Sequence, residues 1–564
     1  MLIRAVDLIS LCLILQIISS LASAAPDKPL AKTPWGLVHG KYLKVNESHQ
    51  VACFLGLPYT LPPVGPLRFT RTYPVAHHHH DHHKAPIIKA DSFKPACIQS
   101  PFFYQAHAGN VTLSENCLYL NIFTPVRGNE LNVTKLYPVF VYVHGSAFAF
   151  GGPAGIHNQA QYLSAFGDIM VVTMAHRLGF LGRPYDGPVE DDEQNYPHHL
   201  PGNQDLHDVI QSLQWVHNNI RYFGGDPDRV TLGGLSAGSI VATSLFVSPI
   251  VPDGLFNKVV AMSGLPISPP TTLNPKRAKS ITKEISSAVK CSFRDTDTKD
   301  HPLSWNEIHC LKRVDPFDLV KASASISFSP MYGDDILPQQ PQELIKSPIF
   351  KKNRYSLLIG TEQNEDVISH STPTTVHDAI TDLSNLFQDR FGVEKMDNFT
   401  SIIQSYFNEL QEDQMANQTA VESIFHAIIS DFTFICPSLL MGKIFSLNNQ
   451  VYFYRNEVVL DADKDKRPFG TLHADDSALF IGYPFTTPDL YSDSDRTISL
   501  QMMKLLGTFV EDGYAPWPAV RNQDGKTTPY VWKITKELDY QNFEVDPYNN
   551  RCSEWAQIYQ IDDL

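Results

Sequence analysis

The chain is short of positive charge. Its 564 residues carry 45 lysines and arginines against 60 acids, a formal net charge of -15. A field of that sign repels phosphates, so neither nucleic acid nor an anionic membrane surface is expected as a partner. Cysteine is sparse as well: there are eight, and none stand at Cys-x-x-Cys spacing. Structural zinc sites and redox dithiols typically use that spacing, so neither is expected. After the N-terminal stretch no apolar run reads as long enough to cross a bilayer, and Gln560 to Leu564 is too polar for a lipid-anchor tail. No membrane anchor is expected. Internal repeats and long Gly/Ser linkers are absent too. What remains, 43% hydrophobic and 11% aromatic residues, suits one large globular domain.

The N-terminus reads as an export signal. Arg4 supplies the positive start, Leu8 to Ile18 is apolar apart from Ser10, Cys12 and Gln16, and Ala22-Ser23-Ala24 is a small-residue cleavage site. Residues 1–24 are therefore expected to leave, with residues 25–564 as a single secreted, extracellular domain. Seven cysteines would remain, enough for disulfides with one thiol left over. Sequons at Asn46, Asn110, Asn132, Asn398 and Asn417 fit a glycosylating route. The tract His77-His78-His79-His80-Asp81-His82-His83 is expected to be a solvated loop rather than a metal site, because structural zinc wants spaced ligands on a fixed frame. No metal and no cofactor is expected.

Apolar β-rich runs alternate with helical periodicity. Val139 to Val143, Ile169 to Met174, Val230 to Leu232 and Lys258 to Met262 read as buried strands; Tyr355 to Ile359 and Val451 to Tyr454 follow. Between them, Leu206, Val209, Ile210, Leu213, Val216 and Ile220 share one helical face, and residues 375 to 445 look helical and amphipathic. The alternation predicts an α/β fold: a large, mostly parallel central sheet flanked by helices.

One motif carries chemistry. Gly234-Leu235-Ser236-Ala237-Gly238 follows the strand Arg229 to Leu232 and precedes the helical run Ser239 to Val247. A nucleophilic serine needs its hydroxyl lifted clear of the sheet on a tight strand-to-helix turn, with glycines where a side chain would strike neighbouring backbone. The serine in turn needs a base oriented by an acid, and on such a sheet the chain order is serine, acid, histidine. Acids stand beyond a strand end in Gly360 to Asp366, and a histidine in Gly470-Thr471-Leu472-His473-Ala474-Asp475-Asp476. With 22 histidines in the chain, residue types alone leave both partners open.

Wider motifs narrow the choice. They are Phe54-Leu55-Gly56-Leu57-Pro58-Tyr59 with Pro62-Pro63-Val64-Gly65, Ser114-Glu115-Asn116-Cys117-Leu118-Tyr119-Leu120-Asn121, Gln214-Trp215-Val216 leading to Asn219-Ile220, and Phe223-Gly224-Gly225-Asp226-Pro227. In these the chain resembles the type-B carboxylesterases, the cholinesterase-like family, over nearly all of the mature sequence. The resemblance implies an α/β-hydrolase fold and hydrolysis of small-molecule carboxylic esters through an acyl-enzyme. It carries the nucleophile onto Ser236, the orienting acid onto Glu365 and the base onto His473. It further implies an oxyanion hole from the backbone N–H groups of Ser146, Ala147 and Ala237, and bridges Cys97–Cys117, Cys291–Cys310 and Cys436–Cys552, leaving Cys53 free. Three departures stand out. Ser146 and Ala147 interrupt a run of glycines in His144 to Gly151, Leu235 replaces a polar or acidic residue, and Asp205 stands where glycine is usual. An aromatic choline platform is not found. Relatives on this scaffold include adhesion proteins without catalysis, so an inactive extracellular binding protein is the alternative expectation.

Overall fold

The computed structural model describes residues 28–561 apart from 76–85, 103–110, 129, 156–159, 188–199, 268–271, 293–301, 348–349, 351–354, 366–371, 392–395, 409, 416 and 524–525. The export signal, the histidine tract and the Asn110 sequon lie outside the described residues. Eleven strands form the central sheet. In chain order they are β1 Lys41–Lys44, β2 Gln50–Pro58, β3 Tyr119–Val126, β4 Tyr137–Val143, β5 Met170–Met174, β6 Gly225–Leu235, β7 Lys258–Met262, β8 Ser356–Glu362, β9 Gln450–Asn456, β10 Tyr530–Ile534 and β11 Phe543–Val545. Their spatial order is 11-10-9-8-7-6-4-5-3-2-1. Pairing is parallel from β5 through β4, β6, β7, β8 and β9 to β10. It turns antiparallel at the flanks, where β1, β2, β3 and β5 pair in succession and β11 closes the far edge.

Strands such as β4, with all seven residues buried, are apolar throughout because helices cover both faces of the sheet. The two large core clusters lie on opposite faces, which is why alternate residues of β4, Val141 and Tyr142 among them, fall in different clusters. The order of the sheet reverses at β4, with β5 on one side and β6 on the other, so a crevice opens at their C-terminal ends. That is where chemistry is placed.

The expected amphipathic helices between residues 375 and 445 are there, but Gln418–Ser430 and Cys436–Phe445 are fused through a π-helical turn, Asp431–Ile435. Contrary to the expectation of no further apolar run of that length, the fused run has the length and apolar content of a membrane span, although Ser430, Asp431 and Thr433 interrupt its apolar pattern. Its apolar stretch is 78% buried inside the protein and serves as a core helix.

Disulfides join Cys97 to Cys117, Cys291 to Cys310 and Cys436 to Cys552. Cys53 is buried and unpaired, and burial pushes its thiol well above the ordinary range, so no reactive thiolate forms there. Asn46, Asn132 and Asn417 are exposed, and Asn398 falls in the helix Met396–Phe407.

One buried acid makes stability pH-dependent. Asp186 accepts the Leu303 N–H through Oδ2, while Oδ1 is buried without a partner. Burial, aided by the charge of Glu307, pushes its carboxyl up to about 6 against the Leu303 N–H and two lysines. The native state therefore holds a proton that the unfolded chain has released, and this group's contribution is lost as pH rises from about 4 through 6. Asp186→Asn is expected to stabilise the protein by roughly 1–3 kcal/mol at pH 7.5 and hardly at all near pH 4. Denaturant midpoints at the two pH values check this, and equal shifts at both would contradict it.

Candidate active site

β6 ends at Leu235 and the chain turns at once into the helix Ala237–Val247. Ser236 sits on that turn at φ 55° and ψ -121°, a conformation few residues with a side chain adopt. The turn is tight because two glycines let backbone approach backbone. A Cβ at Gly234 would lie 2.5 Å from the Val143 oxygen, and one at Gly238 2.1 Å from the same atom. Both contacts reach across to β4, so the elbow is wedged against the neighbouring strand. The helix behind it has all eleven residues buried, and its N-terminal amides, beginning at Ala237, face the elbow.

The loop after β4 lies directly beside the serine: a Cβ on Gly145 would sit 3.3 Å from Ser236 Cβ. Ser146, Ala147 and Phe148 then follow at φ 82°, 51° and 59°. Three consecutive left-handed residues without a glycine cost about 1–2 kcal/mol each, and something must offset that. Part of the answer is Gln99, buried next to the Cys97–Cys117 bridge. Its side-chain oxygen accepts the Gly151 N–H at 2.7 Å and its amide donates to the Gly151 oxygen at 2.7 Å. Gly179 N–H donates to the Phe148 oxygen at 2.7 Å.

Glu365 lies just beyond β8 and His473 in the loop after β9. His473 Nδ1 is 2.6 Å from Glu365 Oε2. The other carboxylate oxygen accepts the Ser263 hydroxyl at 2.7 Å and the Glu362 N–H at 2.8 Å. Glu365 is wholly buried, and all of these contacts suit a carboxylate. The carboxylate thus accepts a hydrogen bond from the Nδ1 N–H and leaves Nε2 as the acceptor nitrogen. Nε2 is buried and makes no hydrogen bond in this structure, with Ser236 or any other group. Serine and histidine therefore stand at the same edge of the sheet, after β6 and after β9, without the contact of a closed triad; such bonds often tighten only in the substrate complex.

Sequence reasoning did not find the groups that fix His473. Phe434, on the π-helical turn, packs its ring on the imidazole with centroids 4.5 Å apart. A plain α-helical pattern predicts no such turn. Ser263 ends β7, and only its place at a strand end beside the elbow could have signalled it. Beneath them lies a buried acid cluster. Glu362 accepts the Asp476 N–H at 2.6 Å and the Asn456 amide at 2.8 Å, while Tyr454 donates to Asp476 at 2.7 Å. Burial, then the charges of the neighbouring acids, pushes the Glu362 carboxyl well up, and burial raises that of Asp476. Those contacts tie the His473 loop to the end of β8.

A cavity of about 510 Å³ opens beside the elbow, lined by Gly145, Ser146, Leu235, His473, Tyr483 and Tyr491 among others. That volume accommodates a small organic molecule. Leu235 is part of the cavity wall, supplying apolar surface next to the serine. Among the described residues no cluster of His, Cys, Asp and Glu could hold a metal ion.

A sheet of this topology, with a serine elbow at its switch point and an acid and a histidine two and three strands away, defines an α/β-hydrolase. The Carboxylesterase family model matches residues 27–559, and the chain belongs to that family. It is similar to acetylcholinesterase-1 of Trittame loki, 28% identical over 86% of each chain. Likewise it is 27% identical to carboxylesterase 3B of Mus musculus, over 90% of this chain and 87% of that one. With pyrethroid hydrolase Ces2e of Rattus norvegicus it shares 26% identity, over 93% and 88% respectively. The protein is a carboxylic ester hydrolase, a class that acts on small-molecule esters.

Proposed function

We propose that the protein is a secreted serine esterase in which Ser236 is the nucleophile, His473 the base and Glu365 the acid that orients it. The observation that carries this reading is the His473 ring, held by Glu365 through Nδ1 with its buried Nε2 unengaged beside the elbow and the cavity. In the reaction Nε2 takes the Ser236 proton as Oγ bonds to the ester carbonyl carbon. The carbonyl oxygen becomes an oxyanion facing the N–H groups of Ser146, Ala147 and Ala237. Collapse of the tetrahedral species breaks the bond to the alcohol, which leaves with the proton from Nε2. Water then repeats the sequence on the acyl-serine, releasing the acid and restoring the hydroxyl. Glu365 stabilises the imidazolium in both halves without itself taking the proton.

The substrates are small esters with an apolar group against Leu235, Tyr483 and Tyr491. Three features support export of a glycoprotein from which residues 1–24 are removed: the N-terminal pattern, the three disulfides and the exposed sequons. A fluorophosphonate probe on the secreted protein tests the assignment. Label is expected on the wild type and none on Ser236→Ala. An unlabelled wild type would instead favour a binding protein on the esterase scaffold.

A further inference from the structure

The left-handed run Ser146–Phe148 has a second support, and it is electrostatic. Phe148 is buried at 4% exposure, and the guanidinium carbon of Arg183 lies 4.2 Å over its ring centroid. Arg183 follows the short helix Gly179–Gly182, whose first residue already bonds the Phe148 oxygen. Its Nη2 donates to Asp205 Oδ2 at 2.5 Å, with the side chains only 3% and 1% exposed. Asp205 occupies the first turn of the helix Gln204–Asn219, where the peptide dipoles favour an anion. A path thus runs from Asp205 through Arg183 to the oxyanion loop.

The pair is a poor stabiliser. Asp205 Oδ1 and Arg183 Nη1 are buried without partners, and a buried ion pair left partly unsatisfied gains little over apolar packing. We propose that Asp205 and Arg183 are positioning residues for the reaction assigned above. The guanidinium presses on Phe148 and keeps the Ser146 and Ala147 amides aimed at the oxyanion, replacing the conformational freedom that a run of glycines would provide. The loop and position 205, where this chain departs from the family pattern, meet at this one contact.

The inference rests on the esterase reading, and the test separates the two. In Arg183→Met with Asp205→Leu the pair gives way to apolar side chains, an exchange that buried ion pairs commonly tolerate. Thermal melting reports whether the fold survives. Turnover number for a chromogenic ester is expected to fall about 10- to 100-fold while KM moves by less than about twofold. Inhibition by a trifluoromethyl ketone, which forms an oxyanion on the serine, is expected to weaken in parallel. Phe148→Leu, with the ion pair intact, is expected to show the same split and decides the matter should the double variant fail to fold. Unchanged turnover and ketone affinity in a folded variant would overturn the brace alone. A wild type that neither hydrolyses esters nor takes the fluorophosphonate would overturn the esterase reading, and the brace with it.

Discussion

Ser236→Ala is expected to keep its fold and three disulfides and to lose ester turnover by roughly four to six orders of magnitude. The size of the loss follows from the hydroxyl's role: without it no acyl-enzyme forms at position 236, so that route closes. Stability is expected to change by less than about 0.5 kcal/mol, the usual range for a substitution that disturbs neither packing nor a buried polar group. Ser236 is only partly buried, and alanine meets the same backbone constraint at φ 55°. A small residual rate over water is expected from the loop amides and the cavity. Steady-state kinetics on a chromogenic ester, with a melting curve alongside, measure both. A folded variant that kept a tenth of the wild-type rate would remove Ser236 from the mechanism.

Glu365→Gln is expected to lower turnover by about 10,000-fold with the fold intact, because a wrong histidine tautomer costs about that much in comparable triads. The contacts of Glu365 dictate how glutamine must sit. Its carbonyl has to accept the fixed Glu362 N–H, which shares one carboxylate oxygen with the Ser263 hydroxyl. The side-chain NH2 then faces His473 Nδ1, where the carboxylate had accepted a hydrogen bond. Histidine answers by moving its proton to Nε2, and a protonated Nε2 cannot receive the proton of Ser236. Nitrogen NMR of the imidazole reads the tautomer directly. Turnover within tenfold of wild type, or an unchanged tautomer, would exclude Glu365 as the orienting acid.

How far the site could be read from the chain differs residue by residue. The elbow was legible because its requirements are local: glycines at 234 and 238 and a strand-to-helix switch within a dozen residues. The parallel core of the sheet was legible for the same reason, since buried strands such as β4 and β7 are continuous apolar runs. The antiparallel flank was not read as strands, because β2 and β3 sit within motif-rich segments whose pairing is set by residues far along the chain. The π-helical turn that brings Phe434 onto His473 was hidden because its residues differ little from those of the α-helices on either side.

Composition and short-range pattern sufficed for the class of fold and for the strand-to-helix elbow at Ser236, since each depends on apolar patterning or backbone sterics within a few residues. Which of 22 histidines meets which of 60 acids was settled by packing. Glu365 and His473 are 108 residues apart and touch only because β8 and β9 lie side by side in register. The left-handed course of Ser146–Phe148 likewise depends on Gln99, Gly179 and Arg183, which reach it from separate segments. A backbone conformation that its own residues disfavour has to be held from outside, so no window of sequence around it could have announced it.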